Sequence, residues 1–186
     1  VDKLSATEST IVGGHENDAA APGVRGEDRF SVIVGGRLDV SQANLSAIVG
    51  GSQLGTAAKE GARYSEGNTV VGGSNNLNES GYFGTIVGGE DSTISDNVTS
   101  EVTENRGSTV VGSYEGVVKT PRGVVVGGYR DTASAEYGMI VGGEHNAATG
   151  RFASVFGGDA NTASGEWSSV AGGKEMSATA LYEPVL

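Results

Sequence analysis

One short motif recurs ten times along this chain and constrains its fold more than any other feature. The motif is an aliphatic residue, a second apolar residue, a glycine, and then glycine or serine. The apolar pairs of the ten copies are Ile11-Val12, Ile33-Val34, Ile48-Val49, Val70-Val71, Ile86-Val87, Val110-Val111, Val125-Val126, Ile140-Val141, Val155-Phe156 and Val170-Ala171. Successive copies lie 22, 15, 22, 16, 24, 15, 15, 15 and 15 residues apart. A fixed period interrupted by insertions is typical of a repeat array.

The two apolar positions of the motif predict opposite orientations. We number each repeat from its first glycine as position 0, so the apolar pair occupies positions −2 and −1. Adjacent residues of a strand point to opposite faces, and a strand that is apolar on both faces is covered on both. We expect position −2 to face the interior of the repeat and position −1 to face identical chains. This valine row, the predicted trimer interface, consists of Val12, Val34, Val49, Val71, Val87, Val111, Val126, Val141 and Phe156.

The rest of each repeat predicts two turns and a second short strand. The double glycine favours a turn, because glycine tolerates positive φ. Position +4 is often a turn-forming residue whose side-chain amide can stack on its equivalents, namely Asn17, Asp39, Asn76, Asp131, Asn146 and Asn161. Position +6 is usually small, as expected of an inward residue in a narrow strand: Ala19, Ser41, Ala133, Ala148, Ala163 and Ala178. The sequence therefore predicts a single all-β domain over residues 1–186, a parallel β-solenoid of about ten rungs.

Large side chains recur at position −5 of the repeat. They are Phe30, Leu45, Phe83, Tyr137, Phe152, Trp167 and Tyr182. Rungs of a solenoid lie about 4.8 Å apart, so we expect these side chains to stack along the rod. The sequence leaves two roles open: a structural seal at an edge or subunit interface, or a stripe that contacts a ligand.

Three long intervals predict loops near residues 20–28, 57–65 and 95–105. They belong to alternate rungs at the same phase, so we expect all three to emerge from one side of the rod. Loops on a rigid scaffold commonly carry binding function. The candidate receptor-binding residues are Arg25, Asp28, Arg29, Lys59, Arg63, Tyr64, Glu101, Glu104 and Arg106. The alternative is that the insertions are tolerated surface loops or brace neighbouring chains.

Composition argues against several other functions. The net charge is −11, and 12 basic residues are scattered among 23 acidic ones, so we expect no nucleic-acid partner. The chain has no cysteine, which excludes disulfides and thiolate metal sites. His15 and His145 occupy different repeat positions and are expected to be solvated turn residues. We expect no metal, no cofactor, no enzymatic activity and no membrane insertion by this chain.

The run Ser-Val-Phe-Gly-Gly-Asp-Ala-Asn-Thr-Ala-Ser-Gly-Glu-Trp-Ser-Ser-Val-Ala-Gly-Gly over residues 154–173 resembles the head repeats of trimeric autotransporter adhesins of the YadA-like type. The resemblance covers residues 9–186. The family repeat is usually one residue shorter and often has Ile-Gly where most copies here have Gly-Gly. The resemblance implies a left-handed parallel β-roll, a homotrimer, and display on the surface of a Gram-negative bacterium.

The function that the resemblance implies is a virulence-associated adhesin head that binds a host matrix protein or epithelial receptor without catalysis. Anchorage in the outer membrane would come from parts not in this chain, and both ends are expected to be cuts through a longer array. The alternative is a structural spacer or fibre segment, such as a phage tail-fibre-like β-solenoid with no ligand. A β-solenoid acyltransferase is disfavoured, because that type shows hexapeptide periods and a catalytic histidine.

Overall fold

The protein folds into very short strands that repeat along one axis. The computed structural model describes residues 2–4, 9–19, 30–43, 45–57, 67–79, 82–95 and 107–186, and these contain β-strands and no α-helix. The first eleven strands are β1 (Lys3–Leu4), β2 (Thr10–Val12), β3 (Asp18–Ala19), β4 (Ser31–Val34), β5 (Val40–Ser41), β6 (Ser46–Val49), β7 (Gly55–Thr56), β8 (Thr69–Val71), β9 (Leu77–Glu79), β10 (Thr85–Val87) and β11 (Thr93–Ser95). The remaining eleven are β12 (Thr109–Val111), β13 (Val117–Val118), β14 (Val124–Val126), β15 (Thr132–Ala133), β16 (Met139–Val141), β17 (Ala147–Ala148), β18 (Ser154–Val155), β19 (Thr162–Ala163), β20 (Ser169–Val170), β21 (Ser177–Ala178) and β22 (Pro184–Val185).

The strands alternate between two parallel sheets. The odd-numbered strands form sheet A and the even-numbered strands form sheet B, with eleven strands in each. Equivalent residues pair across every interval: Ile11 pairs with Ile33 across 22 residues, as Val110 pairs with Val125 across 15. Each long interval is therefore one rung with an insertion. The predicted all-β parallel solenoid with two strands per rung is confirmed.

A third line of parallel pairing joins the turns between sheet B and sheet A. It consists of isolated bridges at position +2, through His15, Arg37, Ser52, Ser74, Glu90, Tyr114, Tyr129, Glu144, Asp159 and Lys174. In each case the backbone of one rung bonds to the next, as where the Glu144 N–H donates to the Gly158 carbonyl at 2.8 Å. The turns therefore satisfy their own backbone groups instead of exposing them.

The core is a single column of side chains enclosed between the two sheets. Position −2 is fully buried from Ile33 to Val170, as predicted, and position +6 faces it from sheet A. The core changes character along the rod. Near the N-terminal end Ser41 lies 2.6 Å from Ser46 and 3.2 Å from Thr56, hydroxyl to hydroxyl, whereas alanine occupies position +6 from Ala133 onward. Within the described part of the chain, no helix is long and apolar enough to cross a membrane.

Candidate functional surfaces

The valine row lies on the outer face of sheet B. Neighbouring residues of each strand alternate sharply in burial: Ile140 is 0% exposed, whereas Val141 is 39% exposed. Val12 and Phe156 are more than half exposed, and Val71 and Val111 are half-buried. The predicted outward orientation of position −1 is therefore confirmed, while nothing in a single chain tests what covers it.

Position −3 lies on the same outer face of sheet B and is apolar at Val32, Ala47, Val124 and Met139. Most other rungs have threonine or serine there. Sheet A is different in the C-terminal rungs, because its outward residues from Thr132 to Ser177 are small or polar. In earlier rungs its outward residues include Val40, Leu77 and Val117, so the polar second face is confined to the C-terminal part of the rod.

The aromatic ladder at position −5 is a continuous stack in the C-terminal part of the rod. The ring centroids of Tyr137 and Phe152 are 4.5 Å apart, and those of Phe152 and Trp167 are 3.9 Å apart with rings nearly parallel. Tyr182 continues the stack at 6.3 Å, and the Arg122 guanidinium lies 5.1 Å from the Tyr137 ring centre at the other end. Because neighbouring rings cover each other's faces, only their edges meet solvent, which favours the structural role over ligand stacking.

Charges of alternating sign run beside the aromatic ladder. Arg151 lies between Glu136 and Glu166, with nitrogen–oxygen distances of 3.3 Å and 3.8 Å. At the opposite turn the Lys174 ammonium lies 2.9 Å from the Asp159 carboxylate, which raises the pKa of Lys174. Asp159 also follows the like charge of Glu144 in the preceding rung, so the charges at this turn do not alternate. Like charges stacked at the rung spacing would repel, so alternation removes a penalty that a uniform row would carry.

The residues Asn17, Asn76, Asn146 and Asn161 at position +4 form an asparagine ladder inside the turn after the double glycine, and Asp39 and Asp131 occupy the same place in two further rungs. The Asn161 backbone N–H donates to Asn146 Oδ1 at 3.0 Å, and the Met176 N–H donates to Asn161 Oδ1 at 2.9 Å. Asn161 Nδ2 donates to the Gly157 carbonyl at 2.8 Å and to the Gly173 carbonyl at 3.0 Å. Each side chain therefore ties its own rung to the next, and the predicted stacking of amides is confirmed.

The second glycine of the motif leaves the space that the asparagine fills. A Cβ on Gly143 would lie 2.3 Å from Asn146 Nδ2 and 2.4 Å from the carbonyl oxygen of Gly158. The one described rung with a side chain at position +1, Ser113, has glycine at position +4 instead. A Cβ on that Gly116 would lie 2.0 Å from Ser113 Oγ. This exchange is visible in the sequence, although the repeat positions considered one at a time did not predict it.

Three ligand-type side chains meet at one exposed point. The ligand atoms of Glu144, His145 and Asp159 all lie within 4.8 Å of one another, and Glu144 and His145 are exposed. The Lys174 ammonium already neutralises Asp159, and the set has no enclosing cage. These residues therefore do not constitute a metal site. His15 and His145 are both exposed in turns, as the sequence predicts.

The nine predicted receptor-binding residues lie outside the described residues. They are Arg25, Asp28, Arg29, Lys59, Arg63, Tyr64, Glu101, Glu104 and Arg106. The strands that flank them are described: the three insertions follow β3, β7 and β11 of sheet A and precede β4, β8 and β12 of sheet B. The described strands on either side of all three insertions therefore meet at the same corner of the rod, on the side of position −5.

Comparison with known proteins gives no relative for this chain. No protein-family model, curated protein or solved structure matches it.

Proposed function

We propose that this chain is the head of a homotrimeric, non-catalytic surface adhesin, a left-handed β-roll that presents binding loops to host matrix proteins or epithelial receptors. The observation that carries the proposal is the exposed apolar face of sheet B. Display on the surface of a Gram-negative bacterium and anchorage through other parts of the protein follow from the resemblance of residues 154–173 to adhesin head repeats.

The size of the apolar face supports assembly. Eleven strands at about 4.8 Å spacing, with two outward residues about 7 Å apart, give a strip of about 350 Å². An apolar patch of this size matches the largest patch on a typical soluble monomer, and such patches are often functional. A second copy is the simplest cover, because its own valine row has the same spacing and would meet rung against rung. Three copies around one axis close the contact, whereas an open contact would propagate into fibres.

The loop corner supports adhesion. The strands that flank the three insertions meet at one corner of each rod, so a trimer would present nine loops around its circumference. Weak contacts to a repetitive matrix protein gain from such multivalency, because the first contact raises the effective concentration of the next. The outer face of sheet A is free to meet solvent in this arrangement.

The assembly is tested by light scattering on the purified chain. Replacing Val71, Val87 and Val111 together by Asp places three stacked charges in the valine row and should reduce the measured mass to that of one chain. The matched control replaces Thr132 and Thr162 on the outer face of sheet A by Asp, and should keep the native mass. A triple valine variant that still has the native mass would refute assembly through this face.

Adhesion is tested separately on the assembled protein. The purified chain should bind at least one of a panel of matrix proteins or epithelial cells, and shortening residues 57–65 to the 15-residue period should weaken that binding while the far-UV spectrum is kept. Unchanged binding by the shortened protein would exclude that loop as the contact. A trimer that binds nothing on the panel would instead support the spacer or fibre segment.

A further inference from the structure

Two rungs of the asparagine ladder carry aspartate in place of asparagine. Asp39 and Asp131 are both 0% exposed. Their Oδ1 atoms accept the usual backbone bond from the next rung, from Leu54 N–H at 2.9 Å and from Asn146 N–H at 2.8 Å. Because Oδ1 is fixed in this way, Oδ2 must occupy the place that Nδ2 takes in the asparagine rungs.

The position of Oδ2 confirms this substitution of oxygen for nitrogen. A Cβ on Gly128 would lie 2.0 Å from Asp131 Oδ2, and a Cβ on Gly143 would lie 2.3 Å from Asn146 Nδ2. In the asparagine rungs this nitrogen donates to glycine carbonyls of its own rung and of the next, as Asn146 does at 3.2 Å to each. The slot therefore presents acceptors only. Oδ2 of Asp39 and of Asp131 is buried and makes no hydrogen bond as a carboxylate.

We propose that Asp39 and Asp131 each hold a proton on Oδ2 in the folded rod and donate it to a glycine carbonyl, as the asparagine amide does. A carboxylate oxygen facing carbonyl oxygens in a buried slot would be repelled and poorly solvated, whereas a carboxylic acid supplies the missing donor. Burial raises the pKa of both carboxyl groups, against the lowering effect of the backbone N–H on Oδ1 and, at Asp131, of the Asn146 side chain.

The charged side chains near the two aspartates lie on the outer side of the turn. Those of the same and adjacent rungs are His15, Glu16 and Arg37 around Asp39, and Glu115, Arg130, Glu144 and His145 around Asp131. They are exposed or half-exposed, and none makes a hydrogen bond to Oδ2. His145 lowers the pKa of Asp131 and Glu144 raises it, so their effects oppose each other.

The consequence is a rod that becomes more stable as the solution becomes more acidic. The folded chain keeps two protons that the unfolded chain releases above the ordinary aspartate pKa of about 3.9. The contribution of each aspartate is therefore fully present below that pH and is lost as pH rises towards the folded pKa. A carboxylate with a cationic partner has the opposite dependence of stability on pH. Glu115 is an example, because Arg130 lowers the pKa of Glu115.

The stability test compares the chain with the variant Asp39→Asn/Asp131→Asn in urea between pH 4 and pH 8 at one protein concentration. The ratio of the native unfolding constant to that of the variant should rise with pH between the unfolded-state and folded-state pKa values of the aspartates. The rise should be up to about tenfold per pH unit for each aspartate. The reverse variant Asn146→Asp/Asn161→Asp should steepen the dependence. If the ratio of the native and variant unfolding constants does not change between pH 4 and pH 8, the proposal is overturned.

A direct test needs no substitution. The Cγ resonances of Asp39 and Asp131 in ¹³C NMR should keep the position of a protonated carboxyl at pH values above the ordinary aspartate pKa of about 3.9. Resonances of Asp39 and Asp131 that move to the carboxylate position at that ordinary pKa would refute the proposal even if the variants failed to fold.

Discussion

The two glycines of one motif should differ strongly in their tolerance of alanine, although they are adjacent. Gly142 and Gly143 both have positive φ, at 71° and 93°. A Cβ on Gly142 would meet nothing within 4 Å, whereas a Cβ on Gly143 would lie 2.4 Å from the carbonyl oxygen of Gly158. That carbonyl belongs to the backbone of the next rung and cannot move without opening the rung spacing.

The expected costs follow from these distances. Gly142→Ala should cost about 1 kcal/mol, since the left-handed conformation costs about 1–2 kcal/mol and the loss of unfolded-state freedom offsets part of it. Gly143→Ala carries the same conformational cost, about 1–3 kcal/mol for overpacking, and about 1–3 kcal/mol for the displaced Asn146 amide. The total of about 4 kcal/mol is a large share of the stability of a typical domain, about 5–15 kcal/mol.

Urea unfolding followed by far-UV circular dichroism at one protein concentration measures both costs. With a slope of about 2 kcal/mol per molar urea, the two midpoints should differ by about 1.5 M. A further variant, Gly143→Ser/Asn146→Gly, copies the exchange that Ser113 and Gly116 show, and should recover part of the loss seen in Gly143→Ser alone. Equal costs for Gly142→Ala and Gly143→Ala would refute the steric reasoning.

Two further predictions concern the core and the aromatic ladder. Ile140→Ala should lower the free energy of unfolding by about 2–5 kcal/mol, because the side chain is fully buried. Val141 is adjacent but points outward, so Val141→Ala should change this free energy far less where the chain is monomeric. The reverse order of the two costs in urea unfolding would contradict the assigned faces. Phe152→Ala removes a ring that lies 4.5 Å from Tyr137 and 3.9 Å from Trp167, so it should cost about 1–3 kcal/mol and shift the Trp167 emission to the red, while Tyr182→Ala at 6.3 Å should have a smaller effect. An unchanged Trp167 spectrum in Phe152→Ala would count against the stack.

The sequence predicted the features that depend on a repeated side-chain property. β-Branched residues at position −2, small residues at position +6 and amides at position +4 each recur at one period, so their burial and stacking could be inferred. The third line of pairing at position +2 could not be inferred from the sequence, because only backbone atoms form it. Residues as different as Ser52, Tyr114 and Lys174 occupy that position.

Backbone conformation at positions +3 and −5 also escaped the sequence. Among the residues that the structure describes, seventeen other than glycine have φ between 50° and 60°, one of them Trp167 at 59°. Local preference argues against this conformation for a bulky side chain. Bonds to the neighbouring rung override it, as where the Trp167 N–H donates to the Arg151 carbonyl at 2.9 Å. Such bonds depend on the whole array, so no single repeat reveals them.

The candidate surfaces also include features that the sequence predicted and features that it did not. The outward orientation of the valine row followed from strand alternation alone, and the stacked rings followed from their common position in the repeat. The buried Oδ2 atoms of Asp39 and Asp131 did not follow, because in sequence an aspartate and an asparagine are equivalent turn formers. Only the hydrogen bond that fixes Oδ1 shows that Oδ2 takes the place of the amide nitrogen and lacks a hydrogen-bond partner as a carboxylate.

The alternation of charge along the rod has a consequence for how such an array can change in length. Removing the rung that contains Arg151 would bring Glu136 and Glu166 to adjacent places, two negative charges at about 4.8 Å. Removing the two rungs that contain Glu136 and Arg151 would instead bring Glu166 next to Arg122, an unlike charge that now lies 3.1 Å from Glu136. The long insertions also occur in every second rung of the N-terminal half. The unit of duplication and deletion in this protein is therefore expected to be a pair of rungs, about thirty residues, and not the single repeat that the glycine motif displays.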